Sequence, residues 1–250
     1  MTGRKIKRPL IYFLSIIVFL LIWFILSKIV NAPLILPGIN EVFSKIVLFI
    51  TTGKFWVNFT YTFIRVLIAF FISLITGTFI GILCGYSKSW KVFFDFPLAF
   101  IRSTPVIAII LVTLFWFNSS SVPVFVAVLM GLPIVVTAVT KGISEDNENL
   151  IYMADIYNFT NFQKFKYIKL KSLKPFFLNS AVSVFGLSWK VVVAGEVISI
   201  PKYGFGSVMQ MAQVNLETSS VIAVTLILVI LSFSIEKLFT FFVKLVNRNE

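Results

Sequence analysis

Residues 152–177 read YMADIYNFTNFQKFKYIKLKSLKPFF. This stretch carries Lys164, Lys166, Lys169, Lys171 and Lys174, with Lys141 just upstream, and it interrupts an otherwise strongly apolar chain. Leu150, Met153, Ala154 and Tyr157 fall at i, i+3, i+4 and i+7, the spacing of a single apolar helix face. The residues before them, SEDNEN at 144–149, place acids in a first turn, where the helix dipole favours negative charge. Asn158 suits a left-handed stop. Thr160 and Gln163 match a capping box, in which each side chain bonds the other residue's backbone amide. The pattern predicts two short helices joined by a sharp turn, with Pro175 opening an apolar span. A plain solvated loop between two spans is the alternative. Helices this short are not stable alone, so an apolar face on them calls for a partner.

Composition sets the frame for that interruption. Of 250 residues, 58% are hydrophobic and 13% are charged; a soluble domain carries about a quarter charged residues. Mean hydropathy is +0.98. These values fit a polytopic all-α membrane protein and no soluble enzyme. The single cysteine, Cys84, excludes a disulfide framework or a cysteine metal cluster. Histidine is absent, which removes the usual proton shuttle and the commonest metal ligand. A net charge of +12 would suggest nucleic acid in a soluble protein. In a membrane protein it reports basic residues held on the cytoplasmic side, with lipid rather than nucleic acid as the surrounding partner.

Six apolar segments are long enough to cross roughly 30 Å of hydrocarbon, at about 10–30, 60–85, 93–117, 122–140, 175–196 and 219–243. The first follows MTGRKIKRP and lacks a small-residue cleavage site, so it reads as a retained anchor. With the N-terminus inside, the cytoplasmic segments hold Arg4, Lys5, Lys7, Arg8, Lys88, Lys91, the lysines of the 141–174 region, Lys237, Lys244 and Arg248. The outer segments hold only Lys28, Lys45, Lys54 and Lys202. The positive-inside rule therefore places both termini in the cytoplasm. Residues 39–52 have helical periodicity and read as an outer interfacial segment; residues 201–217 read as a loop followed by a short amphipathic helix. The organisation expected is an anchor and interfacial segment over 1–58, then a transmembrane core over 59–245 with a cytoplasmic loop at about 144–174.

Several intramembrane residues are candidates for function. Gly77, Gly81 and Gly85 form a small-xxx-small ladder that lets another helix approach closely. Packing inside the subunit is its expected use. Arg102, Ser103, Thr104 and Pro105 put a cation beside a helix-breaking proline, with two hydroxyls able to satisfy freed carbonyls. Arg102 could pair with a buried carboxylate, serve a gate or touch solute. Lys190 and Glu196 are six residues apart, about 240° around a helix, and so do not pair with each other. Lys190 either joins an internal ion pair or lines a pathway; Glu196 could meet Arg102 or Arg65. Asp95 reads as an interfacial cap. No catalytic constellation, metal-ligand spacing or P-loop is present, so the chain cannot hydrolyse ATP.

The 152–175 stretch resembles the cytoplasmic coupling loop of binding-protein-dependent ABC importer permeases, whose pattern runs Glu-Ala-Ala, three residues, Gly, then Leu-Pro and a further Pro. Tyr152, Met153 and Ala154 stand at the Glu-Ala-Ala positions, Asn158 at the Gly, Leu170 and Lys171 at Leu-Pro, and Pro175 at the last Pro. Asn for Gly is a mild departure, since Asn tolerates the left-handed conformation. NAPLILPGINEVFSKI, FIRSTPVIAIILVTLFWF and LSWKVVVAGEVISIPKYGFG are similar, in order and spacing, to the nitrate/sulfonate/taurine branch, which also includes importers of thiamine-precursor pyrimidines and riboflavin.

The resemblance implies a transport subunit of a bacterial cell membrane importer, working by alternating access as a homodimer. Its partners would be cytoplasmic ATPase subunits, which carry ATP and Mg, and an extracytoplasmic solute-binding protein. Leu150, Tyr152, Met153, Ala154, Tyr157, Asn158 and Phe162 would contact the ATPase. Arg102, Ser103, Thr104, Pro105, Lys190 and Glu196 would serve the pathway or gate. A secondary transporter without an ATPase is the rival class. Such carriers usually bury carboxylates or histidines at the midplane.

Overall fold

The stretches that read as apolar fold as helix over most of their length, because backbone amides removed from water must bond within their own segment. A computed structural model describes residues 3–144 and 148–248. The acidic first turn expected at 145–147 lies outside the described residues. The helices are α1 (Gly3–Val30), α2 (Ile39–Thr51), α3 (Gly53–Tyr86), α4 (Lys88–Ser103), α5 (Val106–Thr113), α6 (Val122–Ser144), α7 (Glu148–Ile156), α8 (Asn161–Lys164), α9 (Leu170–Ser199), α10 (Phe205–Val214) and α11 (Thr218–Arg248). Among the described residues five helical stretches are long and apolar enough to cross a membrane, or six if the bent pair α4–α5 counts as one span.

That bend corrects the expected third span at 93–117. The helix runs from Lys88 to Ser103, turns by 97°, and resumes only to Thr113. Pro105 is the cause: it lacks an N–H and forces the preceding residue out of the helical region. Thr104 is accordingly extended at φ −78°, ψ 129°. The hydroxyls of Ser103 and Thr104 both donate to the Phe100 carbonyl, at 3.0 and 2.7 Å. Asp95 lies two turns inside α4 and not at its cap, since the residue preceding the helix is Ser87.

Two compact units divide the chain. One takes in Met1–Trp56 and Val208–Leu228. In it α1 ends at Asn31, whose left-handed φ of 44° turns the chain toward α2. The Trp23 indole donates to Pro37 O at 3.2 Å, and the Thr218 hydroxyl donates to Leu34 O at 2.6 Å. Lys45 pairs with Glu217 at 3.3 Å, and Ser220 donates to the same carboxylate at 2.6 Å.

The other unit takes in Val57–Ser207 and Val229–Glu250. Its core is built by α3, α5, α6 and α9, through Val66, Phe70, Ile110, Val126, Val139, Val184 and Trp189 among others. Lipid is as apolar as leucine, so these helices gain little from burial as such and must gain by close packing. The glycine ladder does this within the subunit. A Cβ on Gly77, Gly81 or Gly85 would lie 2.6–2.7 Å from the Cβ of Val135, Val139 or Ile143 on α6. The Trp189 ring lies 6.0 Å from that of Phe63 and 6.5 Å from that of Phe59. Phe239 of α11 stacks on Phe185 at 4.9 Å.

Candidate functional site

Three places in the second unit hold the residues singled out above. The first is the helix pair around Asn158. α7 ends in a Schellman turn: Asn158 takes φ 54°, its amide donates to Asp155 O at 3.0 Å, and the Phe159 amide donates to Ala154 O at 2.9 Å. Asn158 therefore adopts the left-handed conformation that the sequence called for. The capping box is also formed. The Gln163 amide donates to the Thr160 hydroxyl at 3.3 Å, and the Thr160 amide donates to the Gln163 side chain at 2.8 Å. Lys164 of α8 forms an ion pair with Asp155 of α7, so this lysine clamps the two helices together.

The structure corrects two expectations here. Ala154 is buried, while Leu150, Tyr152, Met153, Ile156, Tyr157 and Phe162 are exposed. The turn at Asn158 reverses the chain, the Asp155–Lys164 pair ties α8 to the end of α7, and Ala154 is buried where Tyr152 and Ile156 stay exposed. The second cytoplasmic helix is not a separate element either. α8 runs through a π-helical turn at Phe165–Lys169 straight into α9, so Pro175 lies inside α9 rather than at its start. π turns insert one extra residue and recur at functional sites. One continuous helical run thus joins the capped turn at Thr160 to the membrane span.

The second place is a polar knot at the far end of α9. Glu196 is 0% exposed. Arg65 of α3 donates to Glu196 Oε1 at 2.6 Å and, through the same nitrogen, to Tyr203 O at 2.7 Å. The Thr62 hydroxyl donates to the Glu196 carboxylate at 3.0 Å and accepts from the Phe205 amide at 3.0 Å. The Gly206 amide donates to Glu196 Oε2 at 3.0 Å, and the Gly204 amide donates to the Asn58 side chain at 2.8 Å. A Cβ on Gly204 or Gly206 would fall 2.6 or 2.4 Å from Glu196, which is why GFG stands there. The knot pins the 200–207 loop, including Ile200 at φ 48°, a strained conformation for a β-branched residue. Of the two partners open to Glu196, the one taken is Arg65. Thr62 and Asn58 were missed; their only signal was a helical spacing that places them on the Arg65 side of α3.

The third place comprises Arg102 and Lys190, both exposed. Arg102 sits at the α4–α5 bend and donates through Nε to Leu98 O at 3.2 Å. Its expected pairing with a buried carboxylate is not found among the described residues, because the bend carries it away from the packed core. Lys190 likewise has no ion pair among the described residues, and the geometry keeps it apart from Glu196. It lies on an open stripe of α9, with Asn179 and Ser183. Sequence periodicity did not separate that stripe from the buried one, since polar residues fall on both: Ser180, Ser188 and Glu196 are buried.

Residues 77–248 match the family described as binding-protein-dependent transport system inner membrane component. Among similar proteins, the taurine transport system permease protein TauC of Escherichia coli (strain K12) is 22% identical over 230 residues, covering 89% of this chain and 83% of TauC. SsuC of Bacillus subtilis (strain 168), named for the transport of aliphatic sulfonates, is 24% identical over 201 residues, covering 80% of this chain and 71% of SsuC. An ABC transporter permease protein of Brucella melitensis biotype 1 is 24% identical over 217 residues, covering 86% of this chain and 87% of that protein.

Proposed function

The chain belongs to the family of binding-protein-dependent transport system inner membrane components, as an ABC importer permease of the taurine/sulfonate branch, and from that premise we propose that it carries a small organic sulfonate across the membrane by alternating access. Two copies form one pathway, both termini lie in the cytoplasm, and two ATPase subunits dock on the α7–α8 pair. An extracytoplasmic binding protein delivers the solute. ATP binding closes the ATPases, the docked helix pair moves, and the pathway opens outward.

The observation that carries this reading is the α7–α8 pair. It is capped at both sides of its turn, clamped by Asp155–Lys164, and presents Tyr152, Met153, Tyr157 and Phe162 to solvent. A soluble surface does not ordinarily hold four such side chains together without a partner. The continuous helix from α8 into α9 supports the mechanical part of the proposal, since a push on α8 reaches the span without crossing a flexible joint. The sulfonate class rests on the names of the relatives and on Arg102 and Lys190, two exposed cations in segments that read as spans.

The test is uptake into proteoliposomes containing the permease, its ATPase and its binding protein, with taurine and ethanesulfonate as solutes. Uptake that requires ATP and the ATPase is the expected result. Uptake by the permease alone would favour a secondary transporter.

A further inference from the structure

The helical run Asn161–Ser199 is 39 residues long. At 1.5 Å per residue it extends about 58 Å, against roughly 30 Å of hydrocarbon, so part of it stands outside the membrane. The lysine-rich end is that part, since no charged residue lies between Lys174 and Lys190. The membrane boundary therefore falls close to Lys174, and there a groove of about 400 Å³ opens on the helix surface. Lys166, Lys171 and Lys174 supply its cations, and Leu170, Leu173 and Phe177 its apolar wall; none of its lining residues is acidic. The Lys166 ammonium lies 5.5 Å over the ring of Tyr167, which also lines the groove. Core packing fixes the wall. Leu173 and Phe177 pack against the core, and α6 comes so close at Gly142 that a Cβ there would lie 3.0 Å from the Leu173 Cα. The other lysines of the stretch are engaged elsewhere. Lys164 pairs with Asp155, Lys169 lies 4.6 Å over the Tyr86 ring, and Lys141 lies 5.6 Å over the Phe176 ring.

We infer that this groove binds an anionic phospholipid of the cytoplasmic leaflet, with the lipid phosphate on Lys166, Lys171 and Lys174 and an acyl chain along Leu170, Leu173 and Phe177. The inference rests on the orientation proposed above, with both termini in the cytoplasm. Lysine stems can lie along an apolar wall while their ammonium groups reach the headgroup level. Basic pockets on the cytoplasmic side of membrane helices suit anionic headgroups for this reason. From Lys171 to Phe177 the groove runs about 9 Å along the axis, from the boundary into hydrocarbon. A soluble protein could meet the lysines but could not follow the wall into the membrane; a phospholipid does both. A zwitterionic lipid brings its own cation to the lysines and loses most of the attraction.

The test is native mass spectrometry of the permease copurified with its ATPase in detergent, titrated with phosphatidylglycerol or with phosphatidylcholine. The parental complex is expected to bind phosphatidylglycerol about tenfold or more tightly than phosphatidylcholine. Each lysine beside an anionic lipid contributes about fivefold, so Lys166→Gln/Lys171→Gln should lose about 25-fold in phosphatidylglycerol affinity and little for phosphatidylcholine. Lys166→Arg/Lys171→Arg should keep the preference. Lys88→Gln/Lys91→Gln removes two exposed lysines on the same side of the membrane and should leave the affinity unchanged. No preference in the parental complex, a preference that survives Lys166→Gln/Lys171→Gln, or an equal loss in Lys88→Gln/Lys91→Gln overturns the site. Loss of the ATPase from Lys166→Gln/Lys171→Gln in lipid-free detergent also overturns it, because the lysines then belong to the ATPase dock. So does displacement of the lipid by an equal concentration of inorganic phosphate, because the ligand is then a soluble anion. Each of these outcomes leaves the orientation standing. Terminal tags exposed outside intact cells would remove the orientation itself, and the assignment to the cytoplasmic leaflet with it.

Discussion

Replacing Arg65 by methionine would leave the fully buried Glu196 carboxyl without its cation, while the Tyr203 carbonyl loses its donor. Removing one partner of a buried pair costs about 3–5 kcal/mol. At roughly 2–4 °C per kcal/mol for a chain of this size, that is a fall in Tm of about 6–20 °C. Glu196→Gln alone keeps an acceptor for the Gly206 amide but leaves Arg65 buried beside a neutral partner. The double variant Arg65→Met/Glu196→Gln contains no unpaired charge. It is expected to melt above Arg65→Met, with a coupling of about 1–3 kcal/mol between the two sites. Thermal unfolding in detergent, followed by tryptophan fluorescence, measures all four proteins. Trp189 is a suitable reporter because it lies two turns from Glu196 on α9 and is buried. Should both single variants melt with the parent, or the double variant lose the sum of the two, the knot is not an interacting unit and the account of the 200–207 loop fails.

Gly81→Val would place a Cβ 2.6 Å from that of Val139, and overpacking of this kind typically costs about 1–3 kcal/mol; a lower Tm than the parent's is expected, and an unchanged one would mean that the ladder faces lipid. Lys164→Gln removes a partly exposed pair that contributes about 1 kcal/mol or less, so the protein should fold normally and lose only part of its ATPase affinity in a pull-down. Donation from Ser220 and then from Lys45 holds the exposed Glu217 carboxylate below its ordinary value of 4.5. Its folded pKa is depressed, so its stabilising contribution is present above pH 4.5 and is lost as pH falls through the lowered pKa. Glu217→Gln should lower Tm slightly at neutral pH, where the contribution is present, and flatten the acid limb of a Tm-against-pH curve. Tags on either terminus should be protected in intact cells and accessible in inverted vesicles; one end outside would mean that α4–α5 re-enters the membrane instead of crossing it.

The helical plan could be read from the chain because its cues are local. The left-handed Asn158, the Thr160–Gln163 box and the Pro105 break each depend on residues within one turn, and each appears where the pattern placed it. What could not be read depends on packing between distant segments. Ala154 looked like part of a free face because its spacing to Met153 and Tyr157 says nothing about the ion pair that folds α8 back. The 97° turn follows from Pro105 locally, but a proline can kink a span slightly or break it, and only the surrounding helices decide which. Among the described residues Arg102, at that turn, has no carboxylate partner.

The central claim is that the exposed apolar face of the α7–α8 pair transmits ATPase motion to the membrane helices. It is tested most directly by solute-stimulated ATP hydrolysis of the reconstituted complex, comparing Met153→Asp and Tyr157→Asp with the parent. Both residues are exposed, so neither charge disturbs the fold of the subunit; each would instead bury an unpaired charge at the docked interface. The account predicts that both variants insert and assemble as the parent does, fail to retain the ATPase, and show no rise in hydrolysis when loaded binding protein is added. Full retention of the ATPase together with parental stimulation in both variants would contradict it.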